Sequence, residues 1–138
     1  MVTRRKPPLL ECNERNKNKV IRSIVKNLTP DLLPKKFRKE NESNPMFGHC
    51  HNASGCFYKI FSSYHVHLYR TLDDNQIYHW WIQDNDGNII DITESQYPKA
   101  KVEKYHKRGM KASLLGYEYK KRVEILFNRV IENLGILK

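Results

Sequence analysis

The sequence contains no apolar run approaching the roughly 18 residues that a membrane-spanning helix needs. Its basic opening, Met1-Val2-Thr3-Arg4-Arg5-Lys6-Pro7-Pro8, is not followed by a hydrophobic segment of signal-peptide type. A cytoplasmic protein with no membrane partner is the expectation. Cysteine is scarce: Cys12, Cys50 and Cys56 are an odd number without repeated spacing, which argues against a disulfide framework and fits a reducing compartment. Cys-x-x-Cys, His-x-x-x-His and a glycine-rich phosphate loop are all missing, as are helix-turn-helix and RNA-binding signatures. No cofactor and no metal are therefore expected. There is no internal repeat and no low-complexity tract.

Acidic residues are also in deficit, with 15 Asp and Glu against 25 Lys and Arg, a formal charge of +10. Such an imbalance favours acidic partners. An acidic protein or peptide substrate is one, and charge-driven, weakly sequence-specific nucleic-acid binding is another. Arg4 to Lys6, Lys35 to Lys39, Lys99 to Lys111 and Lys120 to Arg122 carry much of this charge, with Tyr105, Tyr117 and Tyr119 as stacking platforms. The plainer reading is a solvated basic surface. Eight Tyr, five Phe and two Trp exclude a disordered chain. A length of 138 residues suits one hydrophobic core. Residues 1–15, basic and aperiodic, read as a flexible arm, and 16–138 as a single domain.

From Asn16 onward Val20, Ile21, Ile24, Val25 and Leu28 recur at helical spacing, and Thr29-Pro30 ends that helix. Thr29 to Leu33 reads as the cap and first turn of a short helix stopped at Pro34. Lys35 to Ser43 reads as a polar connection. Ala53, Phe57, Ile60, Phe61 and Tyr64 give the next helical stripe, with Cys50 on it in the first turn and Gly48 allowing a sharp bend just before. His65 to Leu72 and Gln76 to Gln83 read as strands, and Asp84-Asn85-Asp86-Gly87 as the turn before a return strand, Asn88 to Thr93. Glu94 to Gly116 reads as loops with at most one strand. Val123, Leu126, Phe127, Val130, Ile131 and Leu134 then define a final helix stopped by Gly135.

Cys50 at a helix start is placed for chemistry, because unpaired amides and the helix dipole favour a thiolate. A cysteine nucleophile also needs a histidine base and a group that fixes the base's tautomer. His79 and Asp91, on the two arms of the hairpin, are the candidates. With a three-residue loop, Asn85-Asp86-Gly87, Trp81 faces Asp91, and His79 shares its side of the sheet as a diagonal neighbour. A two-residue turn shifts the register by one and separates the pair. The plainer readings are a core cysteine, a packed strand histidine and an Asp that closes the hairpin. Cys50, His49 or His51, Cys56 and His79 also offer zinc-ligand atom types, at poor spacing. His65 and His67 point to one side of a strand.

Gly48-His49-Cys50 opening a helix, His79-Trp80-Trp81 on a strand, and Asp86-Gly87-Asn88-Ile89-Ile90-Asp91-Ile92-Thr93 resemble the Cys, His and Asp blocks of transglutaminase-like cysteine proteins. With Asn44-Pro45, the likeness extends from about Leu28 to Arg122 to a group of small proteins found mostly in bacteriophages. Ile92 stands where the blocks usually carry proline, and His51 and Cys56 bring extra ligand atoms beside the thiol. The resemblance implies an α+β fold of the papain/transglutaminase kind, its helix-borne Cys packed on a small antiparallel sheet between N- and C-terminal helices. It implies a Cys50-His79-Asp91 triad with Asn44 as an oxyanion donor, in a hydrolase or acyltransferase working in the host cytoplasm. The other expectation is a non-enzymatic basic protein on the same scaffold, a phage inhibitor of a host factor or a nucleic-acid binder.

Overall fold

The computed structural model of the chain describes residues 10–114 and 116–136, without the side chains of residues 63, 117 and 118. These residues form an α+β structure. In chain order it comprises α1 (Glu14–Asn27), α2 (Lys35–Ser43), α3 (Cys50–Phe61), β1 (Val66–Leu72), β2 (Tyr78–Asp84), β3 (Ile89–Ile90), α4 (Lys99–Lys107), β4 (Met110–Ala112) and α5 (Tyr117–Leu134). Single 3-10 turns fill Pro30–Leu32, Ser62–Tyr64 and Glu94–Gln96. The sheet is antiparallel throughout, in the order β3-β2-β1-β4.

Asn13 starts α1 by accepting the Asn16 amide at 2.8 Å, which is the ordinary work of an N-cap residue. Helical residues therefore begin at Glu14, and Leu10 and Cys12 already pack on the core, so 10–15 do not join the arm expected over 1–15, whose first nine residues lie outside the described ones. Val20 and Ile24 of α1 meet Phe57 and Phe61 of α3 and Leu126 and Val130 of α5, all at 3% exposure or less. Leu68, Trp80 and Ile82 close this core from the sheet. Each such side chain contributes about 1.5–3 kcal/mol by leaving water. Alternation along β2 turns His79 and Trp81 to the other face. There α4 supplies Val102 and Tyr105, both buried.

Two expected irregular stretches are helical instead. Lys35–Ser43 forms α2 because Asn41, buried, ties its amide to the Pro45 and Phe47 carbonyls and secures the helix to the following loop. Lys99–Lys107 forms α4 after Pro98, with only two buried side chains to signal it. Tyr105 is thereby removed from any stacking surface. The side chain of Tyr117 lies outside the described residues, and Tyr119 packs its ring edge on His51 at 5.4 Å. His65 adopts φ 61 at the end of a turn, outside β1, and His67 hydrogen-bonds Asn85 at 2.6 Å. The two histidines thus do not share a strand face.

His49 is fully buried, and neither ring nitrogen has a hydrogen-bond partner among the described residues. Burial pushes it down to about 4. His51 also falls to about 4, through burial opposed by its contact with Asn52 and assisted by the charge of Arg70. Both folded values lie below the roughly 6.5 of a free histidine, so their stabilising contribution is present above that pH and is lost as pH falls toward about 4. We expect His49→Leu to reduce the stability lost between pH 6.5 and 4.5 by on the order of 1–2 kcal/mol, read from urea midpoints. An acid limb unchanged by the substitution counts against this assignment.

Candidate active site

Cys50 is the first residue of α3, and Gly48 sets the entry to that helix. Gly48 has φ +81, and a Cβ there would lie 3.0 Å from Leu33 Cδ2 and 3.3 Å from Phe37 Cβ. The conformation and the space both favour glycine. The first intrahelical bond runs from the Ala53 amide to the His49 carbonyl, 2.9 Å, so the Cys50 amide lies in the first turn, ahead of the helix's own ladder. The Cys50 thiol donates to the Tyr78 carbonyl at 3.5 Å, at the start of β2. It is 6% exposed and also interacts directly with the neighbouring His79 ring.

His79 meets Asp91 because the β2–β3 hairpin takes the three-residue-loop register. The Asp84 amide donates to the Asn88 carbonyl at 3.0 Å, and Ile82 pairs with Ile90. Asp84 Oδ1 accepts the Asp86 and Asn88 amides, both at 2.9 Å, and so holds the loop in that register. One residue past β3, Asp91 places Oδ2 2.6 Å from His79 Nε2, and both side chains are at 0% exposure. Burial opposes the imidazolium, but the hydrogen bonds to Asp91 and Cys50 and their charges outweigh it and push His79 up to about 9. Burial likewise opposes the carboxylate, and bonds from His106 and His79 hold Asp91 below its ordinary value.

With Nε2–H donated to Asp91, His79 Nδ1 is the acceptor, and it lies 3.2 Å from Gln96 Nε2. Gln96 also donates to Thr93 Oγ1 at 3.0 Å, within the 3-10 turn that follows β3. When Nδ1 takes a proton, the same amide must present Oε1 to it, which a rotation of the amide end supplies. Asn44 donates its own amide to the Gln96 carbonyl at 3.0 Å. Of the expected residues, Cys50, His79 and Asp91 are thus brought together, whereas Asn44 supports Gln96, whose amide stands at the His79 ring.

His106, from the last turn of α4, directs Nε2 to the same Asp91 oxygen at 2.7 Å. One buried oxygen therefore serves two imidazoles. Oδ1 of Asp91 and Nε1 of Trp81 have no hydrogen-bond partner among the described residues. Trp81 packs against His79 and His106, its ring centre 5.6 and 4.9 Å from theirs. A Cβ at Gly109 would lie 2.1 Å from Trp81 Cζ2, so the chain leaving α4 passes where only a hydrogen fits. Tyr97 lies edge-on to His79 at 4.9 Å and donates its hydroxyl to Asp73 at 2.7 Å. Asp73 also accepts the Asn75 and Ile77 amides, fixing the turn that leads to Tyr78.

His79, Asp91 and His106 are the one group among the described residues that could hold a metal ion. Their present contacts are those of hydrogen bonds. Cys50, His49 or His51, Cys56 and His79 do not form such a group: Cys56 is fully buried in the core, where burial pushes its thiol far up. His51 packs its ring on Trp80 at 4.7 Å.

Cys50 opens onto a cavity of about 400 Å3 bordered by Phe37, Phe47, Trp80, Gln96 and Tyr97. A cleft, a thiol at a helix start and a base held by a carboxylate are together competent for nucleophilic attack on an acyl carbon. Gln96 and His106 had no place in the sequence reading. Pro98 just before Val102, Tyr105 and His106 at i, i+3 and i+4 was the available signal for α4. Gln96 carries no comparable signal, because only the 3-10 turn returns it to His79.

Comparison with protein-family models, with curated proteins and with solved structures finds no match to this chain.

His106 competes with His79 for Asp91. Removing its N–H while keeping a ring on Trp81, as in His106→Phe, should therefore raise the His79 titration midpoint above about 9, followed by NMR of the imidazole. A midpoint that stays or falls contradicts the shared-oxygen account. Gly109→Ala should destabilise the fold by about 2 kcal/mol or more through overpacking, measured by urea denaturation.

Proposed function

We propose that this chain is a cysteine-dependent acyl-transfer enzyme of the papain and transglutaminase kind, a class that spans peptidases, amidases, deamidases and transglutaminases. The observation that carries the reading is the buried His79–Asp91 hydrogen bond of 2.6 Å, in a ring that also interacts with the Cys50 thiol at the start of α3. Asp91 selects the tautomer with the proton on Nε2, so Nδ1 is the nitrogen that takes the proton of Cys50 as the Gln96 amide beside it turns. The resulting thiolate and imidazolium stabilise each other, assisted by the dipole of α3.

The thiolate attacks an amide carbonyl, and the new oxyanion is held by the Cys50 amide. Gln96 borders the cavity here, its amide engaged by His79 and Thr93, and Asn44 braces the Gln96 carbonyl from behind. His79 next gives its proton to the leaving nitrogen, the carbon–nitrogen bond breaks, and a thioester to Cys50 remains. Water or an incoming amine then attacks the thioester, losing its proton to His79, and Cys50 is released. The fully buried Asp91 keeps the base aligned through both halves.

Two experiments bear on this. At pH 6 we expect iodoacetamide to alkylate Cys50 in the wild type at least about tenfold faster than in His79→Ala, read by peptide mass spectrometry. Equal rates in two folded proteins remove the His79 partnership. Cys50→Ala should keep the circular dichroism spectrum and lose turnover of any amide the wild type cleaves, by about a thousandfold or more. An active Cys50→Ala protein ends the proposal.

A further inference from the structure

The cavity beside Cys50 has a marked chemical asymmetry. Phe37 and Phe47 meet edge to face at 5.4 Å and, with Trp80, give it an aromatic lining. Its formally charged lining residues are both cationic, Lys36 and Arg122, and no Asp or Glu is among the described residues that line it. The third basic side chain, His51, is held neutral near pH 7 by a value pushed down to about 4. Lys36 Nζ lies 5.1 Å from the Phe37 ring centre, and the Arg122 guanidinium lies 5.5 Å from that of Tyr119. Both charges thus rest on aromatic faces. Neither pairs with a carboxylate among the described residues, although Arg129, Lys59 and Lys101 all do.

Resting on the acyl-transfer reading, we propose that this cavity binds the acyl side of an acidic peptide: an aromatic or large aliphatic side chain against Phe37, Phe47 and Trp80, with a neighbouring carboxylate between Lys36 and Arg122. A volume of about 400 Å3 falls at the small end of the range for ligand pockets, roughly 300–1,000 Å3, which suits one or two residues. A carboxylate there finds two cations that pair with no carboxylate among the described residues, and no acidic group among the described lining residues. An amine in the same place faces two like charges. The overall charge of +10 draws acidic chains toward the molecule, and the cavity decides which part of such a chain comes to the thiol.

The test separates binding from reactivity. Cys50→Ala protein is titrated with 4-(acetamidomethyl)benzoate, its primary amide and 4-(acetamidomethyl)benzylamine, followed by amide NMR shifts. The expected order is carboxylate, then amide, then amine, with about tenfold between first and last, and shifts at Phe37, Phe47 and Trp80. In Cys50→Ala carrying Lys36→Gln and Arg122→Gln, that range should shrink to about threefold or less. Equal affinities, tighter binding of the amine, or no binding at millimolar concentration overturns the proposal, whatever the alkylation of Cys50 shows. A preference for the carboxylate beside an unactivated Cys50 leaves the cavity's selectivity standing and removes the acyl-transfer reading instead.

Discussion

A carboxylate removed from water must be compensated where it lies, and the organisation of this molecule around Asp91 follows from that requirement. Its side chain is fully buried, and its compensation comes from two imidazole N–H groups on one oxygen, His79 from the sheet and His106 from α4. The β2–β3 hairpin register, the packing of α4 across the sheet and the approach of the chain at Gly109 to Trp81 are all conditions for those two contacts. Relaxing any one of them leaves a charge buried without its partners, which costs several kcal/mol. The site is therefore also a structural joint between the sheet and the helix that covers its second face.

The sheet acts as a partition. Trp80 and Ile82 face the large core shared with α1, α3 and α5, and His79 and Trp81, alternate residues of the same strand, face α4. The Cys50 thiol belongs to the helical side and the His79 ring to the other, and the thiol reaches the strand where β2 begins, at the Tyr78 carbonyl. That arrangement puts the thiol at a helix N-terminus and the imidazole in a dry, aromatic surround.

Periodicity made the larger elements legible. The stripes of α1, α3 and α5 and the strands around His79 follow directly from apolar spacing, as does the helix start at Cys50, because burial of one face is what those patterns record. The hairpin was legible only as a choice between two registers, which the bonds of Asp84 decide. Helices α2 and α4 escaped notice since they bury few side chains, and a helix held by Asn41 or by a preceding proline writes little into its hydropathy. With α4 went His106. Asn44 looked like an oxyanion donor from its distance along the chain; its amide bonds the Gln96 carbonyl, and the 3-10 turn that brings Gln96 to the His79 ring is invisible to a pattern search at helix or strand period.

Base and orienting carboxylate lie 12 residues apart on one hairpin, while the thiol meets its strand contact across 28 residues. The orientation of the imidazole is thus set within a local unit, and the approach of the thiol to it is set by how α3 sits on the sheet. A sliding of that helix by an ångström would withdraw the thiol's share of the upward push on His79 while leaving the bond to Asp91 in place. Ring orientation and ring ionisation are, in this architecture, held by different parts of the fold.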